Sequence, residues 1–183
     1  VVWESVEWRG SVRGFVSRGC FCSCDEEQRK GPGDEDAGVI RGMCVLCGND
    51  CNRRCGNCFA ATGACHGKRL LMPAGIGKKG LDFLVARSGS RRHLEVDFFG
   101  GEPMLNFPVV KELVAYGREL EKKHGKVFRF TITTNAYSLT DEDIDYFNRE
   151  MSNVVLSVDG RKETHDAMRP TADGQGSWER AMA

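Results

Sequence analysis

An α/β fold with parallel strands is predicted for this chain, and three observations predict it. Strand-like and helix-like segments alternate about four times from residue 40 onward. Each strand-like segment ends in a polar or glycine-rich turn. Three cysteines, Cys51, Cys55 and Cys58, crowd the first of those turns. Such alternation places parallel strands inside and helices outside. In α/β barrels and open parallel sheets, ligands bind at the carboxyl ends of the strands.

The elements follow in order. Ile40 to Cys47 is a short apolar run suited to a buried strand. Met72-Pro73 opens a helix with Ile76, Leu81, Leu84 and Val85 on one side, stopping near Ser88-Gly89. Gly75, Gly77 and Gly80 weaken it by up to roughly 1 kcal/mol each relative to alanine. Leu94 to Phe99 is a second strand, ending in Gly100-Gly101-Glu102-Pro103. Asn106 is expected to cap the next helix, with Pro108 in its first turn. That helix carries Val109, Val110, Leu113, Val114, Tyr116 and Leu120 and stops by His124-Gly125. Val127 to Thr133 is a third strand, followed by Thr134-Asn135. Thr140 and Asp143 form a capping-box pattern with Asp in place of Glu or Gln. The helix they open bears Ile144, Tyr146, Phe147 and Met151. Val154 to Val158 is a fourth strand, ending in Asp159-Gly160, and Ser177-Trp178-Glu179 starts another helix.

Residues 1–39 differ from the rest. They are rich in Gly, Arg and Ser, include Cys20, Cys22 and Cys24, and show no sustained period. They read as a poorly ordered leader, so the expected organisation is an irregular leader over 1–39 and one α/β domain over 40–183. The whole chain of 183 residues suffices for one medium domain. Lys+Arg and Asp+Glu balance at 26 each, which gives no support for nucleic acid or an anionic membrane as partner. No apolar run approaches the roughly 20 residues of a membrane span. The start, Val1-Val2-Trp3-Glu4, lacks Met and a signal pattern, so a fragment is expected. Nine cysteines are an odd count confined to the first 65 residues. Metal binding in a reducing, cytoplasmic compartment fits better than a disulfide framework.

Cys51, Cys55 and Cys58 are spaced C-x3-C-x2-C on one short loop. Three thiolates so placed can grip three irons of a [4Fe–4S] cubane and leave the fourth without a protein ligand, which marks a cluster that does chemistry. Cys44 and Cys47 form a C-x2-C just upstream. A structural zinc held by Cys44, Cys47, Cys51 and Cys55 or Cys58 is therefore the rival reading. The cysteines alone divide about evenly between the two.

Taken with the downstream motifs, the cysteine loop resembles that of the radical S-adenosylmethionine enzymes. Those motifs are Gly100-Gly101-Glu102-Pro103 after the second strand, Thr133-Thr134-Asn135 after the third, and Ser157-x-Asp159-Gly160 on the fourth. A zinc ribbon explains none of them. The stretch from Val96 to Pro170 is most similar to SPASM-type maturases of the small six-cysteines-in-forty-five (SCIFF) peptides. That likeness rests on Asp97 to Pro103 and Met151 to Glu163 and covers about Val39 to Ser177.

The resemblance implies a partial (βα)6 barrel, a [4Fe–4S] cluster on Cys51, Cys55 and Cys58, and S-adenosylmethionine on its open iron. It implies that Gly100 and Gly101 bond the methionyl amino group with help from Glu102. Ser157 is expected to contact the carboxylate or ribose, Asn135 to bond the ligand or lock its turn, and Arg169 to hold the methionyl carboxylate or form a surface ion pair. Asp159-Gly160 shapes a turn. The implied reaction is reductive cleavage of the cofactor to a 5′-deoxyadenosyl radical, used to form a thioether in a cysteine-rich precursor peptide. A flavodoxin or ferredoxin would serve as electron donor. The alternatives are a radical enzyme of the sulfatase-maturase type and a non-catalytic zinc module. Cys20, Cys22, Cys24 and Cys65 match no family pattern.

The chain departs from the family pattern in three places. Asn57 stands where an aromatic residue commonly precedes the last cluster cysteine. Cys47 replaces a non-cysteine. Ala136 follows Asn135 where many relatives have glycine, and alanine is less free to take positive φ. The maturases' leader-binding and cysteine-rich domains are not recognisable, and four of six strand–helix units are present. Isolated activity is therefore doubtful.

Overall fold

A computed structural model describes residues 39–58 and 69–183 of the chain. Four parallel strands form one sheet: β1 (Gly42–Leu46), β2 (His93–Phe99), β3 (Val127–Thr134) and β4 (Asn153–Leu156). The order β1-β2-β3-β4 follows the chain. Helix α1 (Ala74–Arg87) connects β1 to β2, α2 (Phe107–His124) connects β2 to β3, and α3 (Asp141–Glu150) connects β3 to β4. Two short helices follow, α4 (Lys162–Met168) and α5 (Trp178–Met182). Sequential parallel neighbours joined by helices are the arc of a (βα) barrel, as expected.

The core lies on the helix side of the sheet. Val45, Leu94, Val96, Phe98, Phe128, Phe130 and Ile132 point from the strands onto Leu81, Leu84, Val110, Leu113 and Val114. All are 3% exposed or less, so the period-2 alternation of each strand is spent on one apolar layer. Phe98, Phe130 and Phe128 stack in sequence, with ring centroids 5.7 and 5.6 Å apart. The opposite face carries Glu95, Asp97, Arg129, Thr131 and Thr133, none of them fully buried. This is the concave face of the arc.

Local chemistry explains most boundaries. Pro73 precedes α1 in extended conformation, and Gly125 ends α2 at φ 65°. Thr140 and Asp143 make the reciprocal capping box at α3, so Asp substitutes for Glu there. Asn106 is a correction. It occupies the position before α2, but its side chain donates to the carbonyls of Cys47 at 2.7 Å and Met72 at 2.9 Å. A 3-10 turn, Pro103–Asn106, precedes α2 and turns that side chain inward. Ile144, expected on the packed side of α3, is 46% exposed. Helix α4 has no counterpart in the sequence reading. The leader with Cys20, Cys22 and Cys24, and also Cys65, lie outside the described residues apart from Val39.

Candidate metal centre

The polar turns at the carboxyl ends of β1, β2 and β3 and the segment after β4 meet in one place. The segment Cys47–Cys58 leaves β1 and is held by backbone bonds from four sides. Cys47 N–H donates to the Phe99 carbonyl, and Met72 N–H donates to the Cys47 carbonyl. Gly101 and Glu102 donate to the carbonyls of Gly48 and Asp50 at 2.9 and 2.8 Å. Arg54 and Gly56 donate to the carbonyls of Pro170 and Met168, each at 2.8 Å. Arg53 also bridges Thr171.

Gly100 and Gly101 are required by that approach. Gly100 has φ 130°, and a Cβ there would lie 2.5 Å from the Gly48 carbonyl oxygen. A Cβ on Gly101 would collide with the Asp50 carbonyl. The glycine pair thus seats the cysteine loop on β2. The Gly101 amide hydrogen serves the loop, and an ammonium ligand would need carbonyl acceptors here rather than amides.

Glu102 is 3% exposed and joins two turns. Oε1 accepts from the Thr134 hydroxyl at 2.7 Å and from Met104 N–H at 3.1 Å; Oε2 accepts from Asn135 N–H at 2.8 Å. Burial pushes this carboxyl up, and the three donors oppose that shift. Asn135 is 8% exposed and does two things. Its Oδ1 accepts from Tyr137 N–H at 3.0 Å, which locks the turn. Its Nδ2 donates to Asn52 Oδ1 at 2.8 Å and reaches Cys51 Sγ at 3.7 Å. Ala136 takes φ 59°, so the turn keeps its left-handed form without glycine.

Arg169 makes a bidentate pair with Asp159, at 2.7 Å from Nε and 3.1 Å from Nη2. The same guanidinium hydrogen-bonds Cys55. Asp159 therefore anchors Arg169, a role beyond shaping the turn. Ser157 follows the end of β4, half-buried, its N–H on the Thr134 carbonyl at 2.9 Å. Gly160 has φ 48°. Every site residue singled out in the sequence thus lies at the carboxyl end of the sheet, and Asn135 and Arg169 reach the cysteines directly.

The thiols of Cys51, Cys55 and Cys58 are half-buried and outside any disulfide. Burial pushes the Cys51 thiol up to about 11 and raises Cys55, against the pull of Arg169 and Arg53 on the latter. Among the described residues no three His, Cys, Asp or Glu side chains converge on one point. Cys47, which the zinc reading requires, is 1% exposed and turned onto the Val45 carbonyl at 3.7 Å. N–H groups, by contrast, approach the loop sulfurs. Arg53 N–H lies 3.4 Å from Cys51 Sγ, beside the contacts from Asn135 and Arg169. Such donors stabilise thiolate charge around an iron–sulfur cluster. The donor set fits a cubane held by three thiolates.

Three residues of this site take parts that the sequence does not show. Thr134 belongs to the Thr133-Thr134-Asn135 motif, but nothing in the sequence assigns its hydroxyl to Glu102. His165, 0% exposed, lies in α4, where the sequence suggests no element. Arg53 sits between cluster cysteines and is 1% exposed. The segments that cover it, at Thr171, His165 and Tyr137, are far away in the chain.

Comparison with known proteins agrees with the geometry. A family model described as a 4Fe–4S single cluster domain matches residues 30–182. A cysteine-type anaerobic sulfatase-maturating enzyme of Clostridium novyi is 26% identical over 137 residues, 73% of this chain and 36% of that protein. The radical SAM cyclopropyl synthase TigE of Paramaledivibacter caminithermalis is 21% identical over 164 residues, 84% of this chain and 34% of that protein. The chain thus spans about a third of the length of these curated relatives. Among solved structures, native anSMEcpe with bound AdoMet superposes with a TM-score of 0.68 at 19% identity, over 78% of this chain and 38% of that one. HydG, a maturase of the [FeFe]-hydrogenase, gives 0.55 at 15% identity, over 79% and 33%. With three thiols on the first turn of a parallel βα arc, the chain belongs to the 4Fe–4S single cluster domain family and has the radical SAM fold.

Proposed function

We propose that this chain is the amino-terminal part of a radical S-adenosylmethionine enzyme core that acts on a peptide. The observation that carries the reading is the docking of Cys51, Cys55 and Cys58 onto the Gly100–Glu102 and Thr134–Asn135 turns. A [4Fe–4S] cluster held on this loop would supply one electron for reductive cleavage of the carbon–sulfur bond of S-adenosylmethionine, the chemistry that yields methionine and a hydrogen-abstracting 5′-deoxyadenosyl radical. The chain's own residues do the holding. Cys51, Cys55 and Cys58 would ligate three irons. Asn135, Arg169 and the Arg53 amide offer N–H groups to the sulfurs. The carbonyls of Gly100 and Gly101 have the chemistry to accept from the methionyl ammonium, and Ser157 stands at the end of β4 for the carboxylate or ribose.

The concave face of the arc is the substrate side. A peptide is supported by relatives and neighbours: the sulfatase-maturating enzyme matches in sequence, and anSMEcpe is known with bound AdoMet and the Kp18Cys peptide. Thioether formation in a cysteine-rich precursor follows from the motif likeness of Val96 to Pro170. Oxidation of a cysteine side chain, as the sulfatase-maturase likeness suggests, is the second reading. The compartment that suits either is the reducing cytoplasm, with flavodoxin or ferredoxin as donor.

The test is anaerobic reconstitution with iron and sulfide, followed by electron paramagnetic resonance of the reduced protein. A [4Fe–4S]⁺ signal that changes on adding S-adenosylmethionine is expected. Bound zinc with no cluster signal overturns the reading. Product mass on two synthetic peptides, a cysteine-rich precursor and a sulfatase cysteine segment, separates the two readings in a chain that carries the remaining barrel units.

A further inference from the structure

Arg53 is the one charged side chain of the cysteine loop that is almost completely enclosed, at 1% exposure. A guanidinium carries five N–H donors and no acceptor, and burying one without an anion costs several kcal/mol or more. Its Nε and Nη2 are buried and have no hydrogen-bond partner among the described residues. That leaves Nη1, which lies 3.2 Å from His165 Nε2.

The His165 contact is not an acceptor for it. Asp159 N–H points at His165 Nδ1 at 3.3 Å, so Nδ1 is the accepting nitrogen. The Ser177 hydroxyl donates to the Arg169 carbonyl at 2.6 Å, so its oxygen is left to accept from His165 Nε2 at 3.1 Å. Both contacts require the neutral tautomer with hydrogen on Nε2. Burial, with Arg53 and Arg169 beside it, holds this imidazole below its ordinary range, which keeps it neutral. Nη1 then faces an N–H. Arg53 is left with the face of Tyr137, 5.5 Å away, and with its thiol neighbours Cys55 and Cys51.

We propose that Arg53 is a positioning residue whose missing acceptor is the anionic, thiolate-ligated cluster, and that its charge raises the cluster's reduction potential. The inference rests on the cluster reading above. It adds that the loop's own cation is left unsatisfied until the cluster is loaded. A positive charge held in a poorly solvated site favours the reduced, more negative form of the cluster. Arg169 cannot substitute, because Asp159 neutralises it. The cluster-free protein bears the cost of the orphaned guanidinium, so Arg53 acts with opposite signs on the empty and loaded forms.

The experiment compares the purified wild-type chain with Arg53→Met and Arg53→Lys. Four quantities are read: thermal midpoint of the chelator-treated protein, iron per chain after reconstitution, midpoint potential without S-adenosylmethionine, and S-adenosylmethionine binding to the loaded protein. Arg53→Met is expected to melt at or above wild type when cluster-free, because replacing a buried unpaired ion by an apolar group is neutral or stabilising. It is expected either to lose iron or to keep it at a more negative potential. The expected size is about a tenfold lower reduced-to-oxidised ratio at fixed applied potential, about 59 mV for a one-electron couple. Arg53→Lys keeps the charge and should restore most of that difference. A cluster-free Arg53→Met that melts below wild type would show a purely structural residue and overturn the inference. So would unchanged iron and potential. An unchanged potential with weakened S-adenosylmethionine binding would assign Arg53 to the cofactor's carboxylate and overturn it too. Wild-type protein that takes up no iron overturns the cluster reading itself, whereas loaded wild type with indifferent variants overturns this inference alone.

Discussion

The two faces of the sheet are built on opposite terms. On the helix side, Leu81, Leu84, Leu94, Val96, Phe98, Val110, Leu113 and Phe130 are sealed at 0–1% exposure in one apolar cluster. At the carboxyl ends, the buried polar residues are Arg53, Glu102, Asn106, Thr134, Asn135, His165, Thr171 and Ser177. The first region is complete as it stands. The second is a polar network with unmet donors, and polar networks buried without all their partners are unfavourable unless a ligand completes them. The contrast says which residues hold the fold and which are held by it.

The largest effect that sharpens this contrast is on metal. Alanine at Cys51, Cys55 or Cys58 removes one of three iron ligands. Reconstituted iron should fall from about four per chain to background, while circular dichroism of the cluster-free protein stays unchanged, since each thiol is only half-buried. Full iron in any one variant would defeat the cluster assignment. On the other face, Phe130→Ala should cost about 3–5 kcal/mol. Phe130 is stacked between Phe98 and Phe128, and its ring fills the space that a side chain at Gly117 would need. A urea titration reads that loss, and it requires no metal.

Glu102→Gln tests the border between the regions. The amide keeps the shape but turns an NH2 toward donors from Thr134, Asn135 or Met104. The expected loss is about 2 kcal/mol, with weakened cluster retention because Asn135 also touches Cys51. A stability like that of wild type would mean that the two turns are joined by something other than this carboxylate.

How much of this was legible in the sequence follows the same division. The apolar runs and their helices announce themselves through periodicity, so β2, α2 and β3 fall within a residue or two of expectation. So do the cysteine loop and the glycine turn, whose chemistry is local. What stayed hidden depends on contacts far apart in the chain. Asn106 reads as a cap, and the inward 3-10 turn sends it to Cys47 and Met72 instead. Arg169 reads as a ligand arm or one half of an ion pair, and the structure pairs it with Asp159 ten residues earlier. Arg53 draws no reading from the sequence, because nothing nearby reveals that Thr171 and His165 will close over it.

Asp97 lies on the concave face, opposite Cys44 and Thr131 in register. Its Oδ1 is buried without a hydrogen-bond partner among the described residues, and burial pushes the carboxyl up to about 6. A raised acid favours the folded state when protonated. That contribution is full below the ordinary value of 3.8 and is lost as pH rises through about 6. At about 1.4 kcal/mol per pH unit, reduced by solvent access, the ionised group costs on the order of 1–2 kcal/mol at neutral pH. Asp97→Asn should therefore melt higher than wild type at pH 7.5 and alike at pH 4. Equal differences at both values would show that its charge is not what matters.

The smallest effect concerns Ala136. Its φ of 59° is the left-handed conformation in which an L side chain crowds the backbone, at a cost of roughly 1–2 kcal/mol. The turn adopts it because Thr134 Oγ1 accepts from Ala136 N–H at 3.1 Å and Asn135 Oδ1 accepts from Tyr137 N–H. Those bonds aim Asn135 at Cys51, so the strain is spent on the site. Ala136→Gly relieves it but loses a methyl that is 3% exposed and frees the unfolded chain. The balance should be a gain of about 0.5–1 kcal/mol, a rise of about 2–3 °C in the melting midpoint for a chain of this size, with cluster retention unchanged. A fall in the midpoint would mean that the buried methyl outweighs the backbone strain. The polar turn would then be governed by the same packing rule as the helix face.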